Sequence, residues 1–162
     1  MGLLRYLLAT LVLISHRHGD HTDGIDKLAD ATGAPVWSVG SGFQRRFGGA
    51  LTDGQVIGAA GLRIRVLATP GHTADSVSFV LDDAVLTADT VNHYVFSLQR
   101  PDWEVRFDMD KAAAAATRRK LLGWIATDRL PFIGYHMPFP GMGYLETRPD
   151  GFFMIPASYQ LL

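Results

Sequence analysis

Three histidines and an aspartate stand within six positions in His16-Arg17-His18-Gly19-Asp20-His21, directly after Ser15. Imidazole nitrogen and carboxylate oxygen are the ligands zinc accepts where no thiolate is on offer. The chain has no cysteine, which excludes thiolate sites and disulfides but fixes no compartment. In an extended segment residues i and i+2 point the same way, so His16 and His18 can face one ion. Gly19 lets the chain turn, and Asp20 and His21 can then aim at a second point nearby. The run reads as a metal-ligand cluster in preference to a histidine-rich surface turn.

Three further candidates share one placement. His72 follows the alternating residues 62–67, within Thr69-Pro70-Gly71-His72-Thr73. Asp89 follows the apolar residues 84–87, and His136 follows residues 130–134. Each stands just past a segment with strand pattern, as the first cluster does. Strand ends along one edge of a sheet converge, and loops there carry sites. The candidate metal ligands are therefore His16, His18, Asp20, His21, His72, Asp89 and His136. One tetrahedral catalytic ion takes three protein ligands and a water, so this set suits two ions sharing a carboxylate. Two neighbouring ions bring the pKa of a shared water towards neutrality and make a bridging hydroxide available for attack on a carbonyl or phosphoryl centre. Two divalent ions, two aspartates and a hydroxide leave a small net positive charge, which suits a neutral substrate with an anionic transition state. Asp20 is the candidate catalytic residue, accepting or relaying a proton while still a ligand.

The elements that must position these groups can be read in order. Residues 7–14 form a continuous apolar run, the pattern of a strand buried on both faces. Thr22 or Asp23 can cap a short helix to about Thr32, with Ile25 and Leu28 inward and Gly33 as its stop. Residues 35–39 make a short strand, and residues 40–50 a glycine-rich loop or broken helix in which Arg45 and Arg46 read as a solvated pair. Asp53-Gly54 is a turn. Residues 76–81 and 84–87 form strands joined at Asp82-Asp83. Residues 90–107 are irregular and aromatic: His93 reads as a loop or pocket residue, and Phe96, Trp103 and Phe107, with Phe139 further on, as packing. Asp108 or Asp110 starts an alanine-rich helix to about Thr127, with Leu121, Leu122 and Ile125 inward. Residues 144–147 and 152–155 form a hairpin. No repeat or linker divides the chain, so residues 1–162 read as a single domain.

Composition sets bounds. Hydrophobic residues at 48% against 19% charged exclude a disordered chain. With 15 basic and 16 acidic residues, a net charge of −1 and no basic run, neither nucleic acid nor an anionic membrane is an expected partner. A small-molecule substrate is, and a homodimer is allowed. The first fourteen residues carry one basic side chain and no small-x-small cleavage pattern, and they are too short to span a bilayer. The expectation for the chain as given is a cytoplasmic protein; secretion would require a signal segment upstream.

The four segments His16-x-His18-x-Asp20-His21, Thr69-Pro-Gly-His72-Thr73, Thr87-Ala-Asp89 and Gly134-Tyr-His136 together resemble the metallo-β-lactamase superfamily in order and separation. That resemblance implies an α+β fold, an αββα sandwich with the site at one edge of its sheets. It implies His16, His18 and His72 on a first metal, Asp20, His21 and His136 on a second, and Asp89 between them, with zinc expected first and iron or manganese as alternatives. Within the superfamily, Arg100-Pro-Asp-Trp103, the alanine-rich helix with Thr117-Arg-Arg119, and residues 134–143 look like the branch containing methyl parathion hydrolase. Family members normally carry several strands, a helix and an Asp-x-Gly turn ahead of the His-x-His strand. Only fourteen residues precede Ser15 here, so the resemblance implies an N-terminally incomplete sandwich with an exposed sheet edge. The activity implied is dinuclear metal-dependent hydrolysis of a small lactone, ester or phosphotriester. The alternatives are a β-lactamase-type amide hydrolase, a diiron redox protein, and a metal-binding remnant without catalytic activity.

Overall fold

The computed structural model describes residues 9–157. Strand β1 (Val12–Leu13) pairs in parallel with β2 (Val36–Trp37). Between them run a helical turn, α1 (Gly19–Thr22), and helix α2 (Ile25–Thr32). The strand expected over residues 7–14 is thus two residues long and only half-buried; residues 7 and 8 lie outside the described part. Among the described residues β1 pairs with one strand only, and its open edge leaves it half-buried. Its side chains alternate: Leu13 packs towards the large sheet and Val12 towards α2.

Helix α2 starts from Gly24 without a side-chain cap, not from Thr22 or Asp23, and ends at Gly33 with φ +71°. Ile25 and Ala29 are buried while Leu28 is exposed, because i and i+4 share a face and residue 28 is turned away from it. Arg45 and Arg46 are solvated as expected, and both are ion-paired at the surface. Each reaches an aspartate of α2, Asp26 and Asp30, at 2.6 Å.

The second sheet has seven strands in chain order: β3 (Val56–Ala59), β4 (Leu62–Ala68), β5 (Val77–Val80), β6 (Val85–Ala88), β7 (Phe132–Gly134), β8 (Met142–Arg148) and β9 (Gly151–Pro156). Every pairing is antiparallel except β6 with β7. A parallel pair needs a long crossover, and helix α3 (Lys111–Thr127) lies within it. Asp110 caps α3 by accepting from the Ala113 N–H at 3.0 Å. Its buried stripe, Arg118, Leu121, Leu122 and Ile125, follows helical spacing. The three apolar members pack with Val85, Leu98, Phe132, Leu145 and Phe152 from the sheet side.

Three packed clusters give the layer order. The first joins α3 to the seven-stranded sheet, the second joins that sheet to β1 and β2 through Leu13 and Trp37, and the third joins β1 and β2 to α2 through Ile14, Val36, Ile25 and Ala29. The order α3, sheet, β1–β2, α2 is the expected αββα arrangement. The β1–β2 layer covers only part of the large sheet. On the alternate positions across β7 to β9, Ile133, Tyr144, Phe153 and Ile155 stay exposed. No helix among the described residues is long and apolar enough to cross a membrane.

The turn before His72 depends on one glycine. Gly71 has φ +128°, and a Cβ there would lie 2.2 Å from the Ala114 backbone nitrogen on α3. Gly71→Ala combines a left-handed strain with a backbone clash, so a loss of about 3 kcal/mol or more is expected, read as the shift in a denaturant midpoint.

Candidate metal centre

All four segments that carry candidate ligands leave strand ends on one edge. His16 follows β1, His72 follows β4, Asp89 follows β6 and His136 follows β7. Two of these turns hold a non-glycine residue at positive φ: Ala88 at +45°, just before Asp89, and His136 itself at +55°. Such residues persist where the surroundings over-determine them, often at functional sites. Gly19 opens the helical turn α1, which turns Asp20 and His21 away from the extended His16-Arg17-His18.

The seven candidates fall into two groups. His16, His18 and His72 offer atoms within 4.8 Å of one another, and so do Asp20, His21, Asp89 and His136. In the first, His72 Nε2 faces His18 Nδ1 at 2.9 Å. In the second, His136 Nε2 and His21 Nε2 stand 3.5 and 3.6 Å from Asp20 Oδ2. Asp89 reaches both groups. Its Oδ1 is 3.3 Å from His21 Nε2, and its Oδ2 is 3.5 Å from both His72 Nε2 and His136 Nε2.

The donor atoms fit two cations. Among the described residues the buried side-chain atoms without a hydrogen-bond partner are His16 Nε2, His21 Nε2, Asp89 Oδ1 and Thr90 Oγ1. Buried polar atoms are normally satisfied, and three of these four orphans are ligand candidates. Their other atoms are engaged: His16 Nδ1 and His21 Nδ1 both lie 3.1 Å from the Ser15 hydroxyl. Burial, and then the neighbouring His21, His72 and His18 imidazoles, push the His16 pKa down to about 3. This keeps its lone pair available for a cation.

A second layer holds the first. His72 Nδ1 pairs with Asp108 Oδ1 at 2.9 Å, and Arg118 donates to Asp108 Oδ2 at 2.7 Å. The Arg118 guanidinium is fully buried and also donates to the carbonyls of Thr90, Pro101 and Trp103. Burial alone would raise the Asp108 pKa, but hydrogen bonds from His72 and Arg118 hold it below the usual carboxylate range. A carboxylate on the far nitrogen of a ligating histidine fixes its tautomer and orientation. Arg17 donates to Asp75 Oδ1 at 2.9 Å, and the Thr73 hydroxyl donates to the same oxygen at 2.6 Å, so the His16–His21 loop is tied to the His72 loop. Ser15, Arg17, Asp75, Asp108 and Arg118 were not picked out as site residues from the sequence. Arg118 left one signal, a charged residue in register with Leu121, Leu122 and Ile125.

The groups open onto a cavity of about 590 Å³. His18, Asp20, His72, Asp89 and His136 line one side, and Asn92, His93, Phe96, Val105 and Phe107 the other. No Lys or Arg is among them. Phe96, Trp103, Phe107 and Phe139 are all about half-exposed or more, so the expectation that they pack does not hold for them; residues 90–107 are irregular as expected, and Phe96 and Phe107 line the cavity. His93 Nδ1 accepts from the Val95 and Phe96 N–H groups at 3.1 and 3.2 Å. Its proton therefore sits on Nε2, giving the cavity wall a neutral donor.

Acid should destabilise the metal-free protein. An unfolded histidine takes up a proton near 6.5, and the folded His16 does so only near 3. The His16 contribution is therefore fully present above about 6.5 and is lost as pH falls towards 3. Asp75 and Asp108, both held low, act in the same direction at the acid end. Melts of chelator-treated protein from pH 8 to pH 4 should show a falling Tm below about 6.5; a flat profile contradicts the packed imidazole cluster.

No protein-family model matches the chain. AidC, a dizinc quorum-quenching lactonase solved with N-hexanoyl-L-homoserine as product, superposes with a TM-score of 0.78 at 20% identity over 93% of this chain and 65% of its own. AbOPH, a hydrolase of the beta lactamase superfamily, gives 0.78 at 21% identity over 92% and 64%. Hydroxyacylglutathione hydrolase of Pseudoalteromonas translucida is 38% identical over 85 residues, 49% of this chain and 32% of that protein. The chain thus matches about a third of that relative's length and just under two thirds of each structural neighbour.

Proposed function

We propose that this chain, which has the metallo-β-lactamase fold, is a dinuclear metal-dependent hydrolase of a small neutral lactone, ester or phosphotriester. The observation that carries this reading is the pair of donor groups sharing Asp89, with three buried atoms unpartnered beside an apolar cavity. His16, His18 and His72 would hold one ion, Asp20, His21 and His136 the other, and Asp89 both. Zinc is the first choice, and iron or manganese accept the same donors. When bound, such ions supply a water of lowered pKa and Lewis acidity towards an oxygen gaining charge.

The chain's own residues do the rest. Asp20 is half-exposed at the cavity, where its carboxylate can take a proton and pass it to solvent. His93 offers a neutral N–H to a substrate oxygen. Phe96 and Phe107 cover the apolar part of a substrate and exclude water. Among the described residues the lining has no Lys or Arg, so no basic side chain there would pair with an anionic substrate and the small positive charge of the metal centre is left for the transition state. The cavity is of small-molecule size. The likeness in fold to AidC, a quorum-quenching lactonase, supports the lactone arm. The segments that look like the methyl parathion hydrolase branch support the phosphotriester arm. The identity with a hydroxyacylglutathione hydrolase favours a second reading, a thioester substrate.

The test is a panel of an aryl ester, an acyl-homoserine lactone, a dialkyl aryl phosphotriester, a thioester and a β-lactam, assayed with zinc-loaded protein. Turnover of one of the first three, abolished by chelator and restored by metal, is expected. Turnover of the thioester alone selects the second reading. Turnover of the β-lactam alone, or of nothing by folded, metal-loaded protein, contradicts both.

A further inference from the structure

One hydroxyl serves both donor groups. Ser15 Oγ lies 3.1 Å from His16 Nδ1, in the first group, and 3.1 Å from His21 Nδ1, in the second. Ser15 and His16 are buried. The imidazole rings of His16 and His21 sit 4.0 Å apart, centre to centre. Both rings leave Nε2 buried and unpartnered. A neutral imidazole carries one N–H and one lone pair, and a hydroxyl oxygen can accept two hydrogen bonds. If both Nδ1–H groups donate to Ser15, both Nε2 lone pairs are free for cations.

We propose that Ser15 is a positioning residue shared by the two metal positions, accepting from His16 Nδ1–H and His21 Nδ1–H and so setting the tautomer and ring orientation of one ligand in each. The inference rests on the dinuclear reading above. It also predicts an asymmetry. The first position has a second anchored ligand, because Asp108 holds His72. In the second, Asp20 and His136 are half-exposed, and among the described residues neither side chain has a hydrogen-bond partner outside the ligand set. The second position therefore leans harder on Ser15.

The experiment is zinc titration against a competing chelator for metal-free wild type, Ser15→Ala and Ser15→Thr, with folding followed by circular dichroism. Loss of an outer partner of a metal ligand lowers affinity by roughly 10- to 100-fold. In Ser15→Ala both affinities should fall, by roughly tenfold for the first equivalent and roughly 100-fold for the second. Ser15→Thr, which keeps the hydroxyl, should restore both. Unchanged affinities in Ser15→Ala, or weakening of one position alone, overturn the shared role and leave the dinuclear reading standing. Wild type that binds fewer than two equivalents overturns the dinuclear reading itself, and the inference with it. A readout independent of any variant is the long-range ¹H–¹⁵N spectrum of zinc-loaded wild type. It should show His16 and His21 both as Nδ1–H tautomers, and an Nε2–H form of either overturns the inference even if Ser15→Ala fails to fold.

Discussion

Asp89→Ala should lower bound zinc from about two equivalents to one or fewer, and hydrolysis by roughly 10³-fold or more. Asp89 is the carboxylate whose two oxygens reach histidines of both groups. Removing it takes a ligand from each position and the negative charge that offsets two cations. The metal-free protein should respond in the opposite sense. There the buried Asp89 Oδ1 has no hydrogen-bond partner, and an unsatisfied buried oxygen costs about 1–3 kcal/mol. Metal-free Asp89→Ala should therefore melt no lower than metal-free wild type. Elemental analysis, a rate assay and two melting curves check the three statements. A variant that keeps both metals removes Asp89 from the centre.

Arg118→Met should cost about 3–5 kcal/mol, because it leaves the Asp108 carboxylate buried without its partner. For a chain of this size that is a fall in Tm of roughly 6–20 °C. The guanidinium also satisfies the carbonyls of Thr90, Pro101 and Trp103, so the wall over the cavity loosens along with the hold on His72. The double variant Arg118→Met with Asp108→Asn removes both charges and should recover part of the loss. Denaturant unfolding of the metal-free proteins separates the cases. A double variant less stable than Arg118→Met alone contradicts a charge pair at this point.

The site was more legible than its supports. The candidate ligands are rare residue types at fixed spacings, and their four strand-end placements agree without any knowledge of contacts. Strands β4 to β9 and helix α3 followed from periodicity, with ends shifted by a residue or two. Strand β3 went unread because Val56-Ile-Gly-Ala offers two β-branched residues and a glycine, and its pairing comes from the turn to β4. Residues 7–14 carried the strongest apolar signal, yet of the described residues 9–14 β1 takes two, because strand length is set by the partner and β2 is short. Leu28 misled by being apolar where Ala29 is buried. The aromatic residues of 90–107 misled in the same way, since hydrophobicity does not tell a core from the wall of a cavity. Asp108, Ser15 and Arg118 act through bonds to groups 10 or more residues away or to two histidines at once, and no local pattern encodes that.

The most direct test is metal per folded chain, by elemental analysis of purified protein loaded with zinc and freed of excess. About two equivalents in protein with the expected circular dichroism, falling in Asp89→Ala, is the predicted result. Folded wild type that retains no zinc would contradict the dinuclear centre on which the hydrolase reading stands.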